Sequence, residues 1–324
     1  MKISVVAPLQ NEEAALPQLI ARLRRTLEAL PHEWEVILVD DGSSDGTWRL
    51  LTNEATADAR FRGLRLTRNF GHQRALSAGL DVADGDAIIS MDGDLQHPPE
   101  VLPTLIAKCL EGHDVVYAIR SEDDREGWFK IHTARLFYWL FNLLTRLDLP
   151  PGAGDFRVTS RRALDVLLAM PERSRFLRGM TRWTGFEQST IYYDRADRQG
   201  GASKYTLGRM VRFAADAIVA FSAWPLRIAS MFGIFFSLMG GLYLIYVLYV
   251  RLFTDDSLAG WTSVVVVTLI LGGVQLACLG IIGQYLGRIY DEVKGRPVFL
   301  VLEDTALTAR RPAGVPETDP TRCA

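Results

Sequence analysis

The chain has 324 residues, 48% of them hydrophobic and 23% charged, a length that admits at most two or three domains. That charge density argues against wholesale disorder, and the apolar fraction, at a mean hydropathy of +0.09, points to membrane-embedded surface beside an ordinary core. A formal net charge of −2 argues against a generic nucleic-acid binder, and three scattered cysteines (Cys109, Cys278, Cys323) argue against a disulfide framework or a zinc site.

From the N-terminus, short apolar runs alternate with helix-period stretches. Residues 3–7, 35–39, 64–67, 87–91 and 114–118 read as strands, and residues 13–30 and 47–57 are examples of the helices between them. This alternation predicts an α/β domain with a largely parallel sheet, whose site belongs at the carboxyl ends of its strands. The first apolar run is too short for a signal-peptide core, so the domain is expected in the cytoplasm.

The strand ends are acidic. The first runs into Pro8-Leu9-Gln10-Asn11-Glu12-Glu13, with no glycine-rich phosphate cradle of the dinucleotide or Walker type. The second runs into Asp40-Asp41-Gly42-Ser43-Ser44-Asp45-Gly46. A calcium loop starting at Asp41 fails, because Thr52 stands where a bidentate Glu is needed. Asp45 or Ser44 can cap the next helix, but capping leaves adjacent Asp40 and Asp41 unexplained; a strand-end aspartate can accept hydrogen bonds from a base or ribose. The fourth strand runs into Asp92-Gly93-Asp94-Leu95-Gln96, two carboxylates across one glycine that can converge on Mg²⁺ or Mn²⁺ and leave positions open for diphosphate oxygens.

Further along, Arg120, Arg125, Lys130 and Arg135 surround the aromatic residues Trp128, Phe129, Phe137, Tyr138, Trp139 and Phe141. Basic and aromatic side chains together suit a bilayer interface where a lipid phosphate would lie; a solvated loop before a core helix is the competing reading. Residues 204–224 read as a helix lying along the membrane surface. Two charge-free runs follow, residues 228–250 and 257–287. About 20 helical residues cross the roughly 30 Å hydrocarbon layer, so the pair reads as a transmembrane hairpin with spans near 228–250 and 261–286. Arg209, Arg212 and Arg227 before it, and Arg288, Lys294 and Arg296 after it, place both termini in the cytoplasm. Glycines within the spans allow close helix packing and hence self-association. The last twenty or so residues read as a disordered tail.

Together these segments resemble family 2 glycosyltransferases of the polyprenyl-phosphate type. The resemblance rests on APLQNEE (7–13), VDDGSSDGT (39–47), RNFGHQRALSAGL (68–80), MDGDLQHPPE (91–100), GDFRV (154–158), RQGGASKY (198–205), the hairpin, and GQYLGRIYDEVKGRP (283–297). It implies a GT-A catalytic domain over residues 1–203, juxtamembrane helices over 204–227, the hairpin over 228–287, and a cytoplasmic segment and tail over 288–324. It also implies an inverting transfer, dependent on Mg²⁺ or Mn²⁺, of a sugar from a nucleotide-sugar to a polyprenyl phosphate at the inner face of the cytoplasmic membrane.

On this resemblance Pro8, Asn11, Glu12, Asp40, Asp41, Gly71, Asp92 and Gly93 line the nucleotide-sugar pocket. Asp92, Asp94 and Gln96 surround the metal, and Asp155 and Asp94 are the catalytic carboxylates. Arg120, Arg125, Arg135, Arg198, Ser203 and Lys204 handle the acceptor or diphosphate, and His72 and Arg74 are assigned no role. UDP-glucose to undecaprenyl phosphate is the favoured pair, with aminoarabinose, N-acetylhexosamine, galactose and GDP-mannose donors open. A processive polysaccharide synthase of the same fold would carry a Q-x-x-R-W motif and more spans, which the chain lacks. A non-catalytic protein that binds or flips lipid-linked sugars would leave the aligned aspartates idle.

Overall fold

The computed structural model describes residues 1–121, 142, 150, 152–173, 175–193, 222–253 and 260–309. These fall into two compact units, a sheet with its covering helices that includes residues from Pro297 on, and a pair of long helices.

The first unit begins with β1 (Lys2–Leu9), α1 (Leu16–Glu28), β2 (Glu33–Asp40), α2 (Thr47–Ala57), β3 (Phe61–Leu66), α3 (His72–Val82) and β4 (Ala87–Ser90). β1 is buried over seven consecutive residues, as a strand covered on both faces must be, and so it appears in sequence as an unbroken apolar run. α1 buries Leu16, Leu19, Ile20, Leu23 and Leu27, the three-and-four spacing of one helical face, and leaves its arginines outside. β2 pairs parallel with β1 and β3, and β1 pairs parallel with β4. The loops after these four strands therefore gather at one edge of the sheet.

α4 (Leu102–Leu110) leads to β5 (Val115–Arg120), and later come β6 (Arg157–Ser160), α5 (Arg161–Ala169), α6 (Leu177–Trp183) and β7 (Gln188–Tyr193). β6 inserts antiparallel between β4 and β5, with Ser90 opposite Arg157. This pairing carries residues 155–157 beside the end of β4, and the Ser90 hydroxyl donates to the Asp155 carbonyl at 2.6 Å. β7 lies parallel to β5 at one edge.

The other edge is closed from far along the chain. β8 (Val301–Asp304) pairs antiparallel with β3, giving the order β7-β5-β6-β4-β1-β2-β3-β8, and α9 (Thr305–Ala309) follows. Six of the eight described strands run one way, in line with the expected largely parallel sheet. β6, β7 and β8 are additions to the strands expected from sequence, and β8 with α9 occupies residues read as a cytoplasmic segment and tail.

The second unit contains α7 (Trp224–Phe253) and α8 (Trp261–Val293). Each has an apolar stretch long enough to cross a membrane, Trp224–Tyr246 at mean hydropathy 1.9 and Ile270–Val293 at 1.5. Leu238, Leu242, Tyr249, Leu276 and Leu286 are among the large side chains left exposed on them. The Tyr285 hydroxyl donates to the Ser222 carbonyl at 2.6 Å, and the Cys278 thiol lies 3.8 Å from the Ala229 carbonyl.

Candidate active site

The loops after β1 and β2 are laced together. Asn11, at φ +56°, accepts hydrogen bonds through Oδ1 from the Ser44 amide at 2.9 Å and donates its own amide to Ser43 Oγ at 2.9 Å. Asparagine tolerates the left-handed region better than most residues, and its side chain here bridges the two loops. The Glu12 amide reaches Thr47 Oγ1 at 3.0 Å, and the Gly46 amide reaches Glu13 Oε2 at 2.9 Å. Asp45 accepts the Thr47 amide at 3.0 Å, bracing the first turn of α2.

The adjacent aspartates diverge. Asp41 accepts the Phe70 and Gly71 amides, at 2.7 and 2.9 Å, one on each oxygen, and so fixes the entry to α3. Gly42 sits at φ +68°, and a Cβ there would come within 2.6 Å of the Arg68–Asn69 backbone. Asp40 is fully buried; its Oδ1 accepts the Ser43 amide at 3.0 Å, while Oδ2 accepts no hydrogen bond among the described residues. The Arg65 Nε lies 3.6 Å from that oxygen.

After β4 the chain turns sharply at Gly93, where a Cβ would collide with the Leu9 side chain. Leu95 holds φ +63° and packs on the core, a left-handed conformation that costs a bulky residue about 1–2 kcal/mol. The Asp94 carboxylate accepts the Gln96 amide at 3.0 Å. His97 stacks on Phe156, centroids 4.7 Å apart, and its Nδ1 accepts the Asp92 amide at 2.9 Å. That bond assigns the neutral ring's proton to Nε2, 3.5 Å from Asp92 Oδ2. Burial, acting against the nearby carboxylates, pushes the His97 pKa below its ordinary value, so the ring is a neutral support for the loop.

Asp155 lies at the centre, 2% exposed. Arg178 clasps it with Nε at 3.2 Å from Oδ1 and an Nη at 3.0 Å from Oδ2. Gln73 donates to Oδ2 at 2.8 Å, and the same Gln73 accepts the Leu177 amide at 3.3 Å, tying α3 to α6. His72 Nε2 stands 3.3 Å from both Asp155 Oδ2 and Asp92 Oδ1. Burial opposes ionisation of Asp155, but the Arg178 charge, the His72 and Arg178 hydrogen bonds and the Arg157 charge outweigh it and hold the carboxyl far below the usual carboxylate range. Burial likewise opposes charging of His72, yet the Asp155 hydrogen bond and the charges of Asp92 and Asp155 leave its pKa raised.

A divalent ion is tested by the donor set. Among the described residues, no group of three or more His, Cys, Asp or Glu is arranged to hold a metal ion by itself. Asp92 Oδ1, however, is buried and accepts no hydrogen bond among the described residues. Burial first, then the charges of Asp94 and Asp45, raises the Glu12 pKa, a sign of crowded negative charge beside this loop. Two carboxylates in such surroundings fit a hard cation that draws its other ligands from water and bound phosphate.

The structure thus brings Asp92, Asp155 and His72 together and places the Asn11 and Asp40–Asp41 loops at the same edge. Pro8 is buried in β1 beside Val39, and Gly71 caps α3 at φ +95°. Arg120 ends β5, half-buried, opposite Tyr193. Arg125, Lys130, Arg135, Arg198, Ser203 and Lys204 lie outside the described residues. Gln73, His97 and Arg178 have no place in the sequence reading, and His72 is assigned no role there. The strand-end rule applied to the third strand as to the second would have reached His72 and Gln73; Arg178 carries no local signal.

Residues 4–168 match the glycosyl transferase family 2 profile. The chain is 40% identical over 301 residues to the bactoprenol glucosyl transferase of Shigella phage SfII, covering 93% of this chain and 97% of that one. It is 40% identical over 311 residues, 96% of each chain, to a Bacillus subtilis (strain 168) protein named as an uncharacterized glycosyltransferase. Among solved structures, glucosyl-3-phosphoglycerate synthase from Mycobacterium tuberculosis, in complex with Mn²⁺, UDP and phosphoglyceric acid, matches at a TM-score of 0.48 and 21% identity over 67% of this chain and 76% of that one. The chain is a glycosyltransferase with a GT-A catalytic sheet and belongs to glycosyl transferase family 2.

Proposed function

We propose that this enzyme transfers one glucose from UDP-glucose to a polyprenyl phosphate, undecaprenyl phosphate in the first instance, with inversion at the anomeric carbon. The observation that carries the reading is the near-full-length likeness to a bactoprenol glucosyl transferase, which extends past the catalytic sheet through both long apolar helices.

The chemistry follows from the acceptor. A phosphate monoester has its second pKa near 6, so at pH 7 it is mostly a dianion and needs no general base. The donors around Asp155 agree with this. Its Oδ2 faces Gln73, Arg178 and His72, its Oδ1 faces Arg178, and the neighbouring positive charge holds it far below the usual carboxylate range, so it is a poor acceptor for a proton. Asp155 instead anchors Arg178 and His72 as fixed cationic and hydrogen-bonding groups beside the reacting atoms. Mg²⁺ or Mn²⁺ held by Asp92 and Asp94, with Gln96 adjacent, would neutralise charge on the leaving nucleoside diphosphate. Asn11, Glu12 and Asp40 face the nucleotide, and Arg120, Arg125, Arg135, Arg198, Ser203 and Lys204 are assigned to the acceptor phosphate and diphosphate.

α7 and α8 are taken as the membrane anchor, with both termini on the cytoplasmic side where nucleotide-sugars are made. A Cβ added to any of the glycines at 233, 240, 241, 272, 273, 280 and 283 would meet no described heavy atom within 4 Å, which leaves room for helices of other copies and supports a homo-oligomer.

The test is a transfer assay on membranes containing the enzyme, given radiolabelled UDP-glucose or GDP-mannose with and without added undecaprenyl phosphate. Label from UDP-glucose should enter the organic phase in proportion to the lipid phosphate. Lipid-phase label only from the mannose donor would replace the sugar assignment. No lipid-phase label from any nucleotide-sugar would reject the transfer reading.

A further inference from the structure

The strand that follows the membrane helices is bonded into the nucleotide side of the sheet. Only residues 294–300 separate the end of α8 at Val293 from the start of β8 at Val301. The strand is pinned at both ends: the Thr67 amide donates to the Leu300 carbonyl at 3.0 Å, and the Gly63 amide donates to Thr305 Oγ1 at 2.9 Å. Asp304, nearly buried, receives Arg62 through two nitrogens at 3.0 and 2.6 Å.

Between these pins, one cross-strand rung carries three charges. Asp40 on β2 is opposite Arg65 on β3, and Arg65 is opposite Glu303 on β8. Directly paired residues point to the same face of a sheet, so the three side chains meet. Arg65 reaches Glu303 Oε1 at 2.9 Å and Asp40 Oδ2 at 3.6 Å, and lies 5.7 Å from the centre of the Trp48 ring. Glu303 is half-exposed, Arg65 less so, and Asp40 fully buried. The sign alternates from the surface inwards, minus, plus, minus.

A fully buried carboxylate needs a counter-charge, and Arg65 supplies it. An arginine side chain is long and has rotamer freedom to lose, so a partner on its outer side fixes where the guanidinium rests. We propose that Glu303 is a positioning residue for the nucleotide pocket: it holds Arg65 against Asp40, and so keeps the open Asp40 Oδ2 aimed to accept a hydrogen bond from the bound nucleotide. This rests on Asp40 lining the nucleotide pocket. It makes the segment after the membrane anchor part of the donor site's support.

The test uses the full-length enzyme in detergent, with UDP and GDP, each with Mg²⁺, as binding probes, and donor KM and kcat as a second readout. Arg65→Gln should weaken nucleotide binding roughly tenfold, since it strips the buried carboxylate of its partner. Glu303→Gln, which keeps shape and strand, should weaken it by roughly two- to fourfold, the range of an exposed ion pair. It should raise donor KM with kcat unchanged. In the Arg65→Gln background, Glu303→Gln should add nothing, because its route is already cut. Leu302→Ala, an exposed neighbour on the same strand, should bind like the wild type. Equal binding by wild type and Glu303→Gln, or losses that add in the double variant, would overturn the proposal and leave the pocket reading standing. A wild-type enzyme that binds neither nucleotide would overturn the pocket reading and the proposal with it.

Discussion

Two buried carboxylates at strand ends, Asp155 and Asp40, are treated in opposite ways by their surroundings. Asp155 is ringed by donors from α3 and α6, with Gln73, His72 and both ends of the Arg178 fork on its two oxygens. Asp40 is buried at least as deeply, yet receives one backbone amide and a more distant arginine, and one oxygen is left open among the described residues. Burial alone therefore does not assign a role; the inventory of donors does. A saturated carboxylate is a fixed charge that organises its neighbours, and an unsaturated one has capacity kept for a ligand.

The largest effect is expected at the saturated site. Asp155→Asn should lower kcat by roughly a hundredfold or more, the scale seen when a preorganised polar group at a reacting centre is lost, while UDP affinity stays near wild type. Near-normal turnover would remove Asp155 from the chemistry. Arg178→Lys keeps the charge but not the fork, and should cost roughly tenfold in kcat with little change in donor KM. A shift in KM alone would move Arg178 to the binding side of the contrast. Asp94→Ala should weaken metal-dependent UDP binding by roughly ten- to a hundredfold, checked by titration with and without Mg²⁺. Undiminished binding would place the cation elsewhere.

Stability sharpens the same contrast. The Asp155 pKa is depressed in the folded state, so its contribution is present above the unfolded value of about 3.9 and fades as pH falls towards the folded value. Acid should lower the Tm of the wild type below about pH 4 more steeply than that of Asp155→Asn, measured by thermal denaturation between pH 7 and 3. Parallel curves would mean that Asp155 is not a source of the acid sensitivity. The smallest of these effects is Gly42→Ala, which combines a left-handed backbone with contact against residues 68–69. It should cost about 1–3 kcal/mol in denaturant unfolding, with kcat unchanged in the folded fraction.

Much of the sheet could be read from sequence because β1, β2 and β4 are largely buried runs that stop at acidic turns, and β3 and β5 are short apolar stretches that follow helices. β6 and β7 could not, since Arg157–Ser160 is four residues long with three polar side chains, and Gln188–Tyr193 is half polar and at an edge. β8 has a signal, the apolar stretch at 298–302, but it is short and lies between a long apolar helix and a polar tail. In the site, Asp92, Asp94 and Asp155 stood out by motif and resemblance. Their partners did not, because Gln73 and Arg178 lie 82 and 23 residues from Asp155 and meet it only when α3 and α6 close over the inserted β6. Sequence spacing carries no record of that closure. His72, given no role in the sequence reading, stands 3.3 Å from both Asp92 and Asp155.

The most direct measurement is the structure of the product made by the purified enzyme from UDP-glucose and undecaprenyl phosphate with Mg²⁺, identified by mass spectrometry and NMR. The expected product is a lipid phosphodiester bearing one hexose, its anomeric configuration opposite to that in the donor. A product of retained configuration, a lipid with several hexoses, or hydrolysis to free glucose alone would contradict it.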